Sequence, residues 1–266
     1  MKTIQFVTNE STTTETASPW ARPKGGSYQD RVLKPEFSDR KLKFADGPNW
    51  FRIVPAIQPS PFGWMMPLHV IHHEGGHFAH PRTLRPNAKS PFDHAYTWAL
   101  SNAPKALFCK ANRDGARLLT DPMSVCWVMA KVGDKYAARL LLASGYDGSR
   151  GGVPGLGYQL WKLAREIDES GNVASDAVDP EKGLLVCIEK TQAAGAKYPS
   201  YNLRLGRQPT PIDALLAQAP PDEAAVLCPL ENTIRELTDE EQWSCLGKVM
   251  APENVALVRK SLAQSE

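Results

Sequence analysis

The stretch that decides the fold is MSVCWVMAKVGDKYAARLLLAS, residues 123–144. Two runs rich in apolar and β-forming residues, 123–132 and 135–144, flank the dipeptide Gly133-Asp134. Strands of this composition joined by two turn-forming residues are typical of a β-hairpin. The stretch therefore predicts two long paired strands, the clearest hairpin in the sequence.

Further strands are predicted on both sides of this hairpin. They are Trp50–Ile57 after an Asp-Gly turn, Met65–His72, and residues 183–191 and 200–206. Helices are predicted at 156–170, where leucines recur at helical spacing, more weakly at 93–102, and near the end, where Thr238 and Glu241 form a capping-box pattern and Pro252 suits a first turn. We expect a mainly β (α+β) fold, an elaborated OB-fold-like antiparallel barrel with inserted helices and long loops.

Composition divides the 266 residues into three regions. Residues 1–37 are rich in Ser, Thr, Gly and Pro without apolar periodicity, which predicts a flexible arm. Residues 38–212 form the predicted OB-like domain, and 213–266 a predicted acidic helical region. No apolar run is long enough for a membrane span, the first residues lack the apolar core of a secretory signal, and five scattered cysteines suit a reducing compartment. We expect a cytoplasmic protein that does not bind membranes.

The charge is unevenly distributed along the chain. Residues 1–150 hold 20 Lys and Arg against 12 Asp and Glu, a net charge of +8, whereas residues 213–266 hold 4 against 10, a net charge of −6. A basic N-terminal part followed by an acidic C-terminal part is typical of a protein that binds a polyanion. Ordinary scatter of surface charge is the alternative.

All six histidines lie between His69 and His94, and His73-Glu74-Gly75-Gly76-His77 matches the H-E-x-x-H pattern of zinc proteases. That chemistry needs a helix, which brings both imidazoles to one face, and two central glycines disfavour a helix. A Gly-Gly hairpin turn is the competing interpretation, and it sends the two histidines along opposing strands. A metal, if bound, would be held by His73, His77, His80 and Cys109; otherwise we expect no cofactor.

Aromatic and basic residues are interleaved along the predicted strands. Bases of a single strand stack on aromatic faces while Lys and Arg neutralise phosphates. Core packing of each aromatic residue is the alternative. The candidate stacking residues are Trp50, Trp64, Trp98, Tyr136, Tyr146 and Tyr201, and the candidate phosphate contacts are Arg52, Lys131, Arg139, Arg204 and Arg207.

The order of these segments resembles the T-even-bacteriophage-type single-stranded DNA-binding (helix-destabilising) proteins. The resemblance spans about residues 40–212. It rests on LKFADGPNWFRIVP (42–55), a strand ending near His69 or His72, the hairpin 123–144, the helix around Trp161-Lys162, and KYPSYNL (197–203) followed by Pro209-Thr210-Pro211. It implies a non-enzymatic protein that coats and protects single strands during phage DNA replication, recombination and repair, located in the host cytoplasm.

Two departures from that family stand out. Ser90-Pro91-Phe92-Asp93 occupies the place of a C-P-x-C half-site for structural zinc, and serine is a poor zinc ligand. The acidic residues of 213–266 are spread along predicted helices rather than forming a run, which weakens the implied recruitment of replication or recombination proteins. Two other function classes stay open: a zinc-dependent hydrolase using His73, Glu74 and His77, and a structural or partner-binding β protein.

Overall fold

The structure, a computed structural model, describes residues 29–58, 60–73, 76–85, 89–102, 120–149, 153–167, 173–192 and 199–264. These residues form an α+β fold around one large sheet. The strands are β1 (Gln29–Asp30), β2 (Gly47–Ile53), β3 (Met66–His73), β4 (Gly76–Ala79), β5 (Thr120–Val132), β6 (Lys135–Ser144), β7 (Arg165–Ile167), β8 (Val173–Asp176), β9 (Leu184–Thr191) and β10 (Ser200–Pro209). The helices are α1 (Pro91–Asn102), α2 (Leu156–Ala164), α3 (Ile212–Leu216), α4 (Pro221–Ala225), α5 (Asp239–Val249) and α6 (Pro252–Ala263).

The predicted hairpin is confirmed as β5 and β6. Their pairing runs without interruption from Met123 opposite Ser144 to Val132 opposite Lys135. Gly133 in the turn has a φ of +62°, a left-handed conformation that a residue with a Cβ adopts only with strain. The other predicted strands are present, although β2 ends at Ile53 instead of Ile57 and β10 continues to Pro209.

Strand β5 is the point at which the sheet forks. One edge of β5 pairs with β6 along its length, and the other edge pairs with two strands in succession. The first half of β5 pairs with β3 (Val125 opposite Met66), and the second half pairs with β2 (Ala130 opposite Phe51). The path through both arms is β1-β4-β3-β5-β2-β9-β10, and every pairing except the short β1–β4 one is antiparallel.

The antiparallel sheet is confirmed, but the predicted OB-fold-like barrel is not, because the sheet does not close. Within the described residues no pairing connects β10 back to β1 or to β6, so the sheet is open. A ring through β5, β2, β9 and β10 would need β10 to pair with β6, and the described residues show no such pairing. The barrel's interior is replaced by helices and loops that cover the two faces separately.

Both faces of β5 are buried. Val125, Trp127 and Met129 point to one face and pack with residues 212–234, so this is the C-terminal face. Cys126 and Val128 alternate with them and pack with Leu160 and Ala164 of α2 on the opposite side, the α2 face. Burial of each such side chain contributes about 1.5–3 kcal/mol, so the central hairpin is a main source of stability.

The acidic C-terminal residues are part of this packing. Leu215, Leu230 and Ile234 are buried in the core on the C-terminal face. Glu223 of α4 accepts hydrogen bonds from Arg40 and from the backbone N–H of Ala138 (2.9 Å). Helices α5 and α6 pack on α1 around a third apolar cluster that contains Phe92, Ala95, Leu246 and Val258.

The helix predictions differ in accuracy. The helix predicted at 156–170 ends at Ala164, because Arg165–Ile167 pairs with Val173–Asp176 as a small antiparallel ribbon. The capping box of α5 is confirmed by both reciprocal hydrogen bonds between Thr238 and Glu241, and α6 begins at Pro252. None of the helices in the described ranges is long and apolar enough to cross a bilayer.

Candidate nucleic-acid interface

The histidine-rich segment forms a hairpin. His73 ends β3 and His77 lies in β4, with His72 directly opposite His77 in the antiparallel pairing. The two residues of the H-E-x-x-H pattern therefore lie on opposing strands, as the Gly-Gly interpretation predicts, and the helix that the hydrolase chemistry requires is absent here. Glu74 and Cys109 lie outside the described residues. Among the described residues, no group of three or more His, Cys, Asp or Glu side chains could hold a metal.

His80, a third candidate ligand, has a structural role. Its Nδ1 accepts a hydrogen bond from the backbone N–H of Arg82 (3.1 Å), and its Nε2 lies 3.6 Å from Oδ1 of Asp93. Burial lowers the pKa of His80 to about 4, so the imidazole is neutral near pH 7. Asp93 also forms an ion pair with Arg82, in which Oδ1 of Asp93 lies 2.8 Å from Nε of Arg82.

Ser90 and Asp93, at the place of the family's zinc half-site, begin α1. The carboxylate of Asp93 accepts hydrogen bonds from the backbone N–H (3.2 Å) and hydroxyl (2.8 Å) of Ser90, and the N–H of Asp93 donates to the Ser90 hydroxyl (3.3 Å). This reciprocal arrangement satisfies backbone donors at the helix start. The two residues therefore cap a helix where the resemblance implies metal ligands.

Four of the predicted DNA contacts come together in a line across the sheet. Arg204 on β10 lies opposite Cys187 on β9, and Cys187 lies opposite Trp50 on β2. The last β2–β5 pair is Phe51 opposite Ala130, so the next residues, Trp50 and Lys131, are neighbours across these strands, and Lys131 pairs with Tyr136 on β6. Directly opposed residues share a face of a sheet, so Tyr136, Lys131, Trp50 and Arg204 form one transverse row on the C-terminal face.

The transverse row is open to solvent. Trp50 is 39% exposed, and Lys131 and Arg204 are exposed, whereas Tyr136 is half-buried at the border of the core. The guanidinium carbon of Arg204 lies 5.5 Å from the centroid of the Trp50 ring. A side-chain hydrogen bond to buried Cys187 is the main cause that raises the pKa of Arg204, which keeps this cation charged.

Arg52 is a wrong prediction for a phosphate contact, because its side chain is fully buried. Its Nε–H donates to the carbonyl oxygen of Thr210 (2.9 Å), and its terminal nitrogens donate to the carbonyls of Ile53 (2.8 Å), Ala177 and Asp179. Burial lowers the pKa of Arg52 to about 10. A Cβ at Gly183 would overlap with this guanidinium, so the glycine makes room for it.

Two further candidates lie on the other side of the sheet from the transverse row. Tyr201 is opposite Lys190 on the α2 face, and its ring centroid lies 5.8 Å from that of Phe44. Arg139 lies opposite Val128, whose side chain is on the α2 face, and its own side chain is ion-paired with Glu223 at 3.3 Å. Neither residue can share a strand-binding surface with Trp50.

The other candidates are dispersed. Trp64 is half-buried beside the core of the α2 face, and Trp98 is half-buried against the α1–α5–α6 cluster. Tyr146 is half-buried in the turn after β6, where its carbonyl accepts from the N–H of Gly155 (2.7 Å). Arg207 is exposed on β10 beyond Leu205, where the pairing with β9 becomes irregular.

The structure adds an aromatic surface that the candidate residues omit. Tyr158 and Trp161 of α2 stack with ring centroids 6.1 Å apart, and Trp161 is 51% exposed. Helical spacing could have indicated this, because Trp161 follows the buried Leu160 and so points about 100° away from the apolar stripe. The two rings border a cleft of about 280 Å³, the aromatic cleft, lined by Met65, Pro67, Leu68, His69, Pro122, Met123, Ser124, Gly145, Gly157, Tyr158 and Trp161.

Comparison with protein-family models finds no match for this chain, and comparison with curated proteins finds none either.

Proposed function

We propose that this protein binds single-stranded DNA without sequence preference through the transverse row of Tyr136, Lys131, Trp50 and Arg204. The observation that carries the proposal is their alignment, with two rings and two cations alternating across five neighbouring strands on one open face. Four strand spacings separate β6 from β10, a span of about 19 Å. Such a surface offers several nucleotides both stacking partners and charges.

The contact between Arg204 and Trp50 is compatible with this role. An exposed cation–π pair contributes about 0.5–1 kcal/mol, whereas a base stacked on an aromatic side chain contributes about 1–3 kcal/mol. A base can therefore displace the guanidinium from the ring. Arg204 then moves only a short distance to contact the phosphate of the same nucleotide. In the free protein its guanidinium covers part of the Trp50 ring.

The wider biological role follows the resemblance to the phage proteins. The proposed activity is to coat and protect single strands in the cytoplasm during replication, recombination and repair, on an open form of an OB-like sheet. Exposed acids on α5 and α6, Asp239, Glu240 and Glu253, are the surface that we propose for replication or recombination partners. The dispersed basic charge of residues 1–150 adds long-range attraction to the polyanion.

A titration with fluorescein-labelled oligo-dT, followed by anisotropy at several salt concentrations, tests the proposal. We expect binding to be tighter than to a duplex of equal length, similar for mixed sequences, and steeply weaker at high salt, because phosphate contacts release counterions. The full-length chain is used with Trp50→Ala as the row variant. Equal affinity for duplex, or binding that is indifferent to salt, would exclude the proposed activity.

A further inference from the structure

The aromatic cleft is separate from the transverse row. Its floor includes Ser124 and Pro67, which lie on the α2 face, whereas the row lies on the C-terminal face. Along β5, Met123 at the cleft is eight residues from Lys131 in the row, a distance of about 26 Å. A ligand in the cleft is therefore not in contact with Trp50 or Arg204.

The exposure of Trp161 is not explained by packing of α2. Leu160 and Ala164, on the inner face of this helix, are fully buried. The side chain of Trp161, beside the Tyr158 ring, is exposed to solvent. The two ring planes differ by 28°, so the rings stack on each other and hold the indole beside the cleft. Contiguous exposed apolar surface beside a cleft lined by aromatic side chains is typical of a binding site.

The charges around the cleft favour an anion with an aromatic ring. Nζ of Lys162 lies 5.9 Å from the centroid of Tyr158, and Arg165 is exposed one residue beyond the end of α2. None of the described residues that line the cleft carries a carboxylate. Among the described lining residues, the imidazole of His69, which is exposed, and the hydroxyl of Ser124 supply polar groups.

We propose that the aromatic cleft is a second nucleotide-binding site, in which a base of single-stranded DNA stacks on Trp161 and its phosphate faces Lys162. This inference rests on the proposed DNA binding and extends it to the opposite face of the sheet. A nucleotide fits better than an apolar side chain of a protein partner, because a partner's aromatic ring would use the stacking surface but not the neighbouring cations.

Photocrosslinking with oligo-dT that carries 5-iododeoxyuridine tests the second site, with the attachment points mapped by mass spectrometry. We expect crosslinks in residues 156–164 of the full-length protein, and we expect them to persist in Trp50→Ala. Trp161→Ala should weaken oligo-dT binding by about 5- to 150-fold, the loss of one stacked base. Trp161→Phe should retain most of the affinity. The matched control is Tyr96→Ala, which removes another exposed ring, from α1.

The outcomes separate this inference from the proposed function. If Trp161→Ala binds oligo-dT as Tyr96→Ala does while Trp50→Ala is weak, the second site is excluded and the row stands; a protein partner is then the better occupant. If binding depends on Trp161 but not on Trp50, the cleft is supported and the row is excluded. If the wild-type protein binds no oligonucleotide, both proposals fail.

Discussion

Arg204 covers the ring of Trp50 at 5.5 Å although strand β9 separates the strands that carry them. Both residues are opposite Cys187, whose burial under them shows how closely the three side chains pack. A second arginine–tryptophan pair exists far from the row in sequence, where Arg259 lies 4.8 Å from the ring of Trp243. The chain therefore provides its own control for any effect of losing such a contact.

Replacing Arg204 by alanine should weaken binding of all single strands about equally. It should also reduce the slope of log affinity against log salt by about one, because one phosphate contact is lost. Arg259→Ala removes a comparable cation–π contact on the helices and should leave both quantities unchanged. Anisotropy titrations with oligo-dT and oligo-dA provide the measurement. Equal effects of the two substitutions would mean that Arg204 has no direct contact with DNA.

Comparison of Trp50→Ala with Tyr201→Ala tests which face of the sheet contributes this stacking contact. Trp50 is in the row, whereas Tyr201 is at 36% exposure on the α2 face against Phe44. We expect Trp50→Ala to reduce oligo-dT affinity by about 5- to 150-fold, the value of one stacked base, and Tyr201→Ala to have little effect. Melting temperatures of both variants check that the fold is retained. A larger loss for Tyr201→Ala than for Trp50→Ala would exclude Trp50 as the main stacking residue.

Stability should fall as the pH decreases from about 6.5 to about 4. The pKa of His80 is lowered to about 4 in the folded protein, while an unfolded histidine titrates near 6.5, so the unfolded state takes up a proton first. The stabilisation is complete above pH 6.5 and its loss amounts to roughly 2–3 kcal/mol at pH 4. Urea unfolding at a series of pH values measures it. His80→Asn keeps an acceptor for the Arg82 N–H and should show a shallower pH dependence; an unchanged curve would contradict this assignment.

A chain that ends at Pro211 should not fold. It lacks Ile212, Leu215, Leu230 and Ile234, four side chains buried on the C-terminal face. At about 1.5–3 kcal/mol each, their loss is comparable with the whole stability of a typical domain. Circular dichroism and size-exclusion chromatography should show loss of cooperative melting and aggregation. A folded truncated protein that binds oligo-dT more tightly would instead favour competition between the acidic region and DNA.

The strands could be predicted from the sequence because their signals are local. Alternating or continuous apolar runs and the Gly133-Asp134 turn are sufficient to place β5 and β6. The OB-fold-like barrel is not confirmed, because closure of a barrel depends on which strand edges pair. Nothing in the local pattern shows that β3 and β2 share one edge of β5.

The candidate site could be predicted only in part, because residue types are visible in the sequence but strand pairing is not. Interleaved rings and cations indicate residue types and make Trp50 and Arg204 candidates, but their alignment requires the register of strands more than 130 residues apart in the chain. Trp50 and Arg52 are two residues apart on one strand and point to the same face, yet only Trp50 is accessible. The carbonyls that enclose Arg52 come from residues 177, 179 and 210, and sequence order does not show that they meet there.

Three separate segments of the chain direct backbone carbonyls at the guanidinium of Arg52. Carbonyl oxygens that converge on a positive charge are also how proteins hold hard metal cations. In this protein the cation is attached to the chain, so the carbonyls of Ala177, Asp179 and Thr210 keep their partner wherever the chain folds. Because this cation is a side chain, a chelator cannot remove it, and its presence does not depend on the concentration of any metal ion. Formation of this junction between three segments therefore depends on folding of the chain and not on a supply of metal ions.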